Sequence, residues 1–228
     1  FLSMKLYIVS TPIGNLKDVT LRAIETLKEV DFILREDTRT SGNLLNHLEI
    51  KKELISLNAF NEKNKIDFIV NRLLSNQTAA LISDAGTPLI SDPGVRLVSA
   101  CIDKGVEIIP IPGASAVIAA LSMSGLPTDT FVFEGFLPQK KGRQTKLKEL
   151  SIEPRTIILY ESMYRIEKLL NELSEFLPER FVVVCREITK KFEETWRGFP
   201  EDLVESFSEK ISKGEFVVVI APKDWIVK

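Results

Sequence analysis

A chain of 228 residues, 44% of them hydrophobic, is too long for a minimal module and apolar enough to bury the core of one large or two small domains. Its 30 basic and 32 acidic residues nearly cancel, so no global field draws it to nucleic acid, and only a local basic patch would do so. Two cysteines far apart in sequence, Cys101 and Cys185, and a single histidine, His47, exclude a disulfide scaffold, a zinc-ligand spacing and any metal or catalytic site that needs two imidazoles.

Short apolar runs alternate with helical patterns from end to end. Strands are predicted at Lys5–Ser10, Asp31–Arg35, Glu53–Leu57, Ala79–Ser83 and Val106–Ile111. Between them, Leu21, Ile24, Leu27 and Val30 recur at helical spacing, as do Val95, Val98, Cys101 and Ile102. Thr40 or Ser41 suits the cap of a helix over Gly42–Leu48, with His47 as a polar residue at its edge. The strands are continuously apolar, which predicts a sheet covered on both faces and an α/β class. The pattern breaks at Ser122–Thr128, with its Gly125 and Pro127, and then restarts. Strands follow at Phe131–Phe136, Thr156–Tyr160, Phe181–Cys185 and Glu215–Ala221, with a polar-faced strand at Phe192–Gly198 and helices at Met163–Leu177 and Asp202–Ile211. Two α/β domains are expected, 4–124 and 125–228. No apolar run approaches the roughly 18–20 residues of a membrane span, and no signal peptide is visible, so a cytoplasmic protein without a membrane is expected.

Ligands of open α/β sheets bind outside the carboxyl ends of the strands. The residues that follow these strands are Thr11–Asn15, Glu36–Arg39, Ser83–Gly94, Pro112–Ala116, Tyr160–Ser162 and Arg186–Lys190. Singly, each is an ordinary turn, cap or solvated charge pair. Six polar or Gly- and Pro-rich segments on the same side of the strands point to a shared site, in a cleft if the two halves face one another. The segment "SDAGTPLISDPG", residues 83–94, is the most distinctive: two Gly, two Pro and two Asp in twelve residues. It has no Lys for a triphosphate and no G-x-G-x-x-G spacing. Its chemistry suits a neutral or cationic ligand held by backbone groups, and a sulfonium cofactor fits that description.

The segments "TPIGNLKDVTLRAIETLKEVDFILREDTRTSGNLL", "ALISDAGTPLISDPGVRLV", "IPIPGASAVIAALSMSGLP", "FEGFLPQKKGR" and "YESMYRI" resemble the bacterial ribosomal RNA small subunit methyltransferase I family, within the tetrapyrrole-methylase superfamily. The resemblance runs from Lys5 to about Pro222. It implies two α/β domains of the class III methyltransferase type with S-adenosyl-L-methionine in the cleft between them, and a homodimer. It implies methylation of a cytidine ribose 2′-hydroxyl in the decoding region of 16S rRNA, presented as rRNA or as the small ribosomal subunit. By the same resemblance the cofactor loop is Asp84, Ala85, Gly86, Thr87, Pro88, Leu89, Ile90 and Ser91. Pro12, Gly14, Ser115 and Ala116 line the same pocket, and Tyr160, Glu161, Arg186 and Ala221 come from the second domain. Two departures stand out, Phe60 and Tyr164, where family members often carry histidine. Many members also continue past the last strand, whereas this chain ends at Lys228, so an appended C-terminal element is expected to be missing.

Methyl transfer to a hydroxyl needs alignment of donor and acceptor, and a base or charge stabiliser helps. Glu161, Glu187 and Lys190 are the candidates for that role, with Asp84 on the cofactor side; the plain alternative for Glu187 is an ion pair with Arg186 or Lys190. Arg39 and Arg186 suit phosphate binding. Lys140, Lys141, Arg143, Lys146 and Lys148 place five cations within nine residues, either a solvated face or, preferably, a phosphate-contacting run. Two other functions stay open. A corrin or porphyrin methyltransferase would share the fold, and a noncatalytic RNA-binding assembly factor would need the basic run alone.

Overall fold

The computed structural model describes residues 4–36, 40–207 and 214–226. The chain divides into two compact units, Phe1–Ser115 and Ala116–Lys228.

The first unit alternates strand and helix: β1 (Lys5–Val9), α1 (Leu21–Glu29), β2 (Phe32–Arg35), α2 (Thr40–His47), β3 (Glu53–Ser56), α3 (Glu62–Leu74), β4 (Thr78–Leu81), α4 (Val95–Asp103) and β5 (Glu107–Ile111). The sheet order is β3-β2-β4-β1-β5, and every pair is parallel. The chain steps outward from β1 to β2 to β3 and then returns through β4 to β5. Right-handed crossovers put the helices of the outward steps on one face and those of the return on the other. The packing agrees. Ala23, Leu27 and Val30 of the α1 segment and Leu45 of α2 pack with Val9, Ile33 and Ala80, while Ile69 and Leu73 of α3 and Leu97 and Cys101 of α4 pack with Leu6, Phe32, Leu34 and Leu81. Both faces are covered, which is why the strands read as unbroken apolar runs.

The helices are rotated from the expected stripes. In α1 the buried positions are Ala23, Thr26 and Leu27, and Leu21 is 79% exposed. In α4 they are Leu97 and Cys101, and Val95 and Ile102 are exposed. The Thr20 hydroxyl caps α1 by accepting from the Ala23 amide at 3.1 Å.

The second unit contains α5 (Ala116–Ser124), β6 (Phe131–Phe136), α6 (Arg143–Ile152), β7 (Thr156–Ser162), α7 (Ile166–Phe176), β8 (Val182–Arg186), β9 (Glu194–Gly198), α8 (Pro200–Phe207) and β10 (Glu215–Ile220). Its sheet order is β6-β7-β10-β8-β9. Only β6 and β7 pair in parallel; β10 is antiparallel to both β7 and β8, and β9 is antiparallel to β8. Leu147 and Leu150 of α6, the stripe Ile166, Leu169, Leu170 and Leu173 of α7, and Leu203 of α8 cover one face. Each such side chain contributes about 1.5–3 kcal/mol on burial, so the stripe of α7 is a principal support of this unit. α5, which supplies nothing to that cluster, packs against β10. The division between units therefore falls before α5, where the sequence reading puts it after that helix.

Arg180 is the internal tie of the second unit. It is buried, and its guanidinium donates to the carbonyls of Ala221, Leu150, Glu153 and Arg155 at 2.7–3.1 Å. Among the described residues no helix is long and apolar enough to cross a membrane. Both cysteines are buried free thiols, and burial is the chief cause that pushes each pKa up to about 11. Neither is expected to react with an alkylating reagent at pH 8 while the protein is native, and both are expected to react in denaturant. Counting adducts by intact-mass spectrometry checks this.

Candidate functional site

In the first unit β4 and β1 lie side by side and send their chains to opposite faces, the arrangement that opens a crevice at the strand ends. The loops that leave them are joined there. The Thr11 amide donates to the Gly86 carbonyl at 2.9 Å, and the Gly86 amide donates back to Thr11 at 3.0 Å. The Thr11 hydroxyl adds a bond to the Ser83 carbonyl at 3.2 Å. The third loop joins through Thr87, whose hydroxyl donates to the Ala114 carbonyl at 3.2 Å and lies 2.9 Å from the Ser10 hydroxyl. Three loops of the proposed pocket are thus one hydrogen-bonded body.

Gly86 has φ +80°, and a Cβ there would meet Ile13 Cγ2 at 3.3 Å and the Ala114 carbonyl at 3.6 Å. The glycine is demanded by the loop's own packing as well as by its backbone angle. Leu89 and Ser91 also sit at positive φ, +73° and +63°, without being glycine, and each such residue holds strain that the surrounding contacts must offset. Pro12 is buried, Gly14 is exposed, and Ser115 and Ala116 are half-buried.

The acids of the loop define its chemistry. No lysine or arginine lies within Ser83–Gly94. Burial is the main cause that raises the Asp92 carboxyl above its usual range; a hydrogen bond from Ser83 opposes this, and the charge of Asp84 adds to it. Two neighbouring carboxylates, one of them desolvated, are relieved by a bound cation. That donor set fits a sulfonium and does not fit a phosphate.

In the second unit β6, β7 and β8 run the same way, so their carboxyl ends share one edge with the start of β10. Tyr160 packs edge-on against Phe133 and Phe136 there. Glu161 is buried: its Oε1 accepts from the Ser162 amide at 2.7 Å and from Arg165 Nε at 2.8 Å, and Arg143 Nη2 lies 3.9 Å from Oε2. Enclosed by two arginines and closed to solvent, this carboxylate is not placed to reach a substrate hydroxyl, which corrects its reading as a base.

Glu187 and Lys190 do come together. Lys190 Nζ donates to Glu187 at 3.0 Å and to Glu215 at 2.8 Å, and the Glu215 amide donates to Glu187 at 3.0 Å. Burial alone would raise the Glu187 pKa, but the Glu215 amide and Lys190 hold it below the usual range. Burial likewise opposes the Lys190 charge, and Glu215 and Glu187 outweigh it and hold its pKa above the ordinary value. Both groups are charged near neutral pH, so this pair supplies fixed charge rather than a proton relay. Glu187 and Thr189 have φ +50° and +68°. Arg186 bonds Glu194 at 2.6 Å. Gly214 leaves room for both, since a Cβ there would lie 2.9 Å from Arg186 Nε and 3.1 Å from Glu187 Cγ.

The basic run separates into two kinds of residue. Lys140, Lys141 and Lys148 are exposed. Arg143 is buried and forks onto Glu172 at 2.6–2.9 Å, with a further bond to the Pro138 carbonyl at 3.1 Å. Its assignment to phosphate is corrected: a buried guanidinium must be paired inside the fold. Lys146 is paired with Glu134 and Glu149. Ala221 is buried with both backbone groups engaged, the amide by Phe181 and the carbonyl by Arg180. Arg39 lies outside the described residues. Phe60 and Tyr164, the departures from histidine, are 96% and 84% exposed, and His47 is an exposed residue in the last turn of α2. Ser10 and Arg165 were not singled out by sequence, and Thr11 and Ser83 entered only as the first residues of strand-following segments; as small polar or charged residues beside strand ends, they show no distinctive spacing.

A parallel sheet with a bridged three-loop crevice, followed by a mixed-sheet unit, is the architecture of the tetrapyrrole methylases. The family profile described as Tetrapyrrole (Corrin/Porphyrin) Methylases matches residues 5–204. Solved structures agree on the fold. Uroporphyrin-III-C-methyltransferase from Thermus thermophilus superposes with a TM-score of 0.66 at 21% identity, covering 95% of this chain and 94% of that one. A cobalt precorrin-4 methyltransferase gives 0.68 at 19% identity, covering 96% and 95%. The Thermus enzyme complexed with S-adenosylhomocysteine gives 0.66 at 17%, covering 95% and 97%. Sequence relatives narrow the placement. The ribosomal RNA small subunit methyltransferase I of Synechocystis sp. is 51% identical over 218 residues, 95% of this chain and 78% of that protein. The protein of the same name from Thermotoga maritima is 45% identical over 220 residues, 96% and 99% of the two chains. The chain belongs to the ribosomal RNA small subunit methyltransferase I family, within the tetrapyrrole methylases.

Two outcomes test this geometry. Gly86→Ala is expected to lower stability by about 1–2 kcal/mol from the left-handed backbone alone and to weaken cofactor binding, read by denaturant unfolding and calorimetry. Glu187 has a depressed pKa, so its stabilisation is complete above its unfolded value of 4.5 and is lost as pH falls through the lower folded value. Glu187→Gln is therefore expected to flatten the fall in unfolding free energy below about pH 4.5, measured by urea denaturation across the acid range.

Proposed function

We propose that this chain transfers the methyl group of S-adenosyl-L-methionine to the 2′-hydroxyl of a cytidine in the decoding region of 16S rRNA, acting as a cytoplasmic homodimer on rRNA or the small ribosomal subunit. The observation that carries the reading is the acidic, lysine-free loop Ser83–Gly94, locked to Thr11, in a chain about half identical to enzymes of that name. The tetrapyrrole alternative rests on the superfamily profile and on fold likeness at 17–21% identity, whereas the relatives at 45–51% identity carry the rRNA methyltransferase name.

When bound, the sulfonium cofactor supplies an electrophilic methyl group. The chain's own residues do the rest. Asp84 and Asp92 balance the positive charge, and the carbonyl-rich loop from Ala85 to Ser91 holds the remainder of the cofactor. Tyr160 and Arg186 are added by the family resemblance. Glu161 is closed off by Arg143 and Arg165, and Glu187 is held as a carboxylate paired with Lys190, so neither is offered as the base. The rate therefore rests on alignment: the O–CH3 bond forms as the C–S bond breaks and S-adenosylhomocysteine leaves, the hydroxyl proton passes to solvent water, and the Lys190 ammonium favours the deprotonated ribose oxygen. Lys140 and Lys141 contact phosphates.

The test is transfer of tritium from methyl-labelled cofactor to small ribosomal subunits, followed by alkaline hydrolysis. A 2′-O-methyl group blocks cleavage at its own linkage, so label is expected in an alkali-stable dinucleotide that contains cytidine. Label absent from rRNA but present in a tetrapyrrole acceptor would replace this reading with the alternative.

The double variant Lys140→Gln/Lys141→Gln is expected to weaken subunit binding and to lower the salt slope by up to about two, close to one per lost phosphate contact. Cofactor affinity should not change. Arg143→Gln should instead lower the thermal midpoint. Binding measured at several salt concentrations, beside a thermal melt, separates the two behaviours.

A further inference from the structure

The loop Ser83–Gly94 is held at its front by the Thr11 bridge. Its rear end runs directly into α4, whose N-cap is Gly94, with no side chain to satisfy the first amides of the helix. The missing cap comes from another element. Glu62, the first residue of α3, is only 6% exposed, and its Oε1 accepts from the Leu97 amide at 3.1 Å. Leu97 is the third residue of α4, the position that an N-cap side chain ordinarily serves. The carboxylate thus stands at the amino ends of two helices, where both macrodipoles favour negative charge.

Glu62 is itself firmly placed. Asn61 Nδ2 and Lys65 Nζ donate to the Ser56 carbonyl at 3.3 and 2.7 Å, and the Glu62 amide donates to the Asn58 carbonyl at 2.9 Å. The start of α3 is therefore tied to the end of β3. Gly94 sits at φ +123°, and a Cβ there would lie 2.8 Å from Leu81 Cδ2, so no other residue fits that turn without a shift. Between the two anchors, Leu89 and Ser91 must be kept in left-handed conformations that relax once either end is released.

We infer that Glu62 is a positioning residue for the cofactor: it caps α4 from α3 and so fixes the rear of the Ser83–Gly94 loop in its binding shape. This rests on the cofactor reading above. Glu62→Ala removes the acceptor, Glu62→Asp shortens its reach by one methylene, and Glu62→Gln keeps an oxygen in place. Calorimetry with S-adenosylhomocysteine on the full chain is expected to show affinity reduced roughly five- to tenfold for Ala and Asp, and within about threefold of wild type for Gln. The KM for the cofactor should rise with it, and the KM for RNA should not. Amide exchange over 84–97 should accelerate in the Ala and Asp variants. Leu27→Ala, a core change on the opposite face of the sheet, should lower the melting temperature without moving the affinity. Should Glu62→Ala fail to fold, the Asp and Gln variants carry the comparison. Wild-type affinity in the Asp variant, equal losses in Asp and Gln, or an equal loss in Leu27→Ala would overturn the role of Glu62. Absence of binding by the wild type would overturn the cofactor reading itself, while the exchange data still report on the cap.

Discussion

The first unit depends on one short contact, the pair of amide–carbonyl hydrogen bonds between Thr11 and Gly86. Its two partners belong to loops that leave adjacent strands for opposite faces of the sheet. Without the bridge the two loops would diverge from the strand ends. With it, the β4 loop is folded back over β1, Thr87 reaches the Ala114 carbonyl, and Ile13 lies under Gly86. Gly86 makes this contact at a positive φ, and Leu89 and Ser91 further along the same loop hold positive φ as well.

The second unit relies on buried guanidinium groups rather than on loop bridging. Arg180 gathers four carbonyls, and Arg143 locks onto Glu172 while approaching Glu161. A buried cation is tolerable only when its donors are matched, and both are matched within the unit. The consequence at the strand ends is a division of labour among charges. Those that face inward are consumed in holding the fold, while Lys140 and Lys141 stay exposed and Lys190, Glu187 and Glu215 form a network of their own. Within it Lys190 and Glu187 are each held toward their charged forms by their partners, which favours electrostatic stabilisation and alignment over proton transfer.

The architecture was legible from the chain because its signals are local. Continuous apolar strands, turn residues after each one and the stripe of α7 all follow from hydrophobic periodicity, which neighbouring residues alone determine. The loop Ser83–Gly94 also stood out, since its Gly and Pro spacing is a contiguous pattern, and the family resemblance proposed a ligand for it. Three helices escaped, α3 (Glu62–Leu74) among them. Residues 116–124 are apolar nearly all round, so no stripe marks α5, and α6 begins its buried stripe with Arg143, so it read as a charge run.

Tertiary structure alone decided which charged residues face inward. Arg143 and Lys140 have the same sequence signature, yet one finds Glu172 across the fold and the other stays exposed. Glu161 reads as a candidate base until Arg143 and Arg165 close around it. Glu62 carries no motif of its own, and its partner Leu97 is 35 residues away. Local sequence sets where the chain turns and what it buries. The protonation state and availability of a side chain depend on the groups that long-range packing brings against it, and these are not neighbours in sequence.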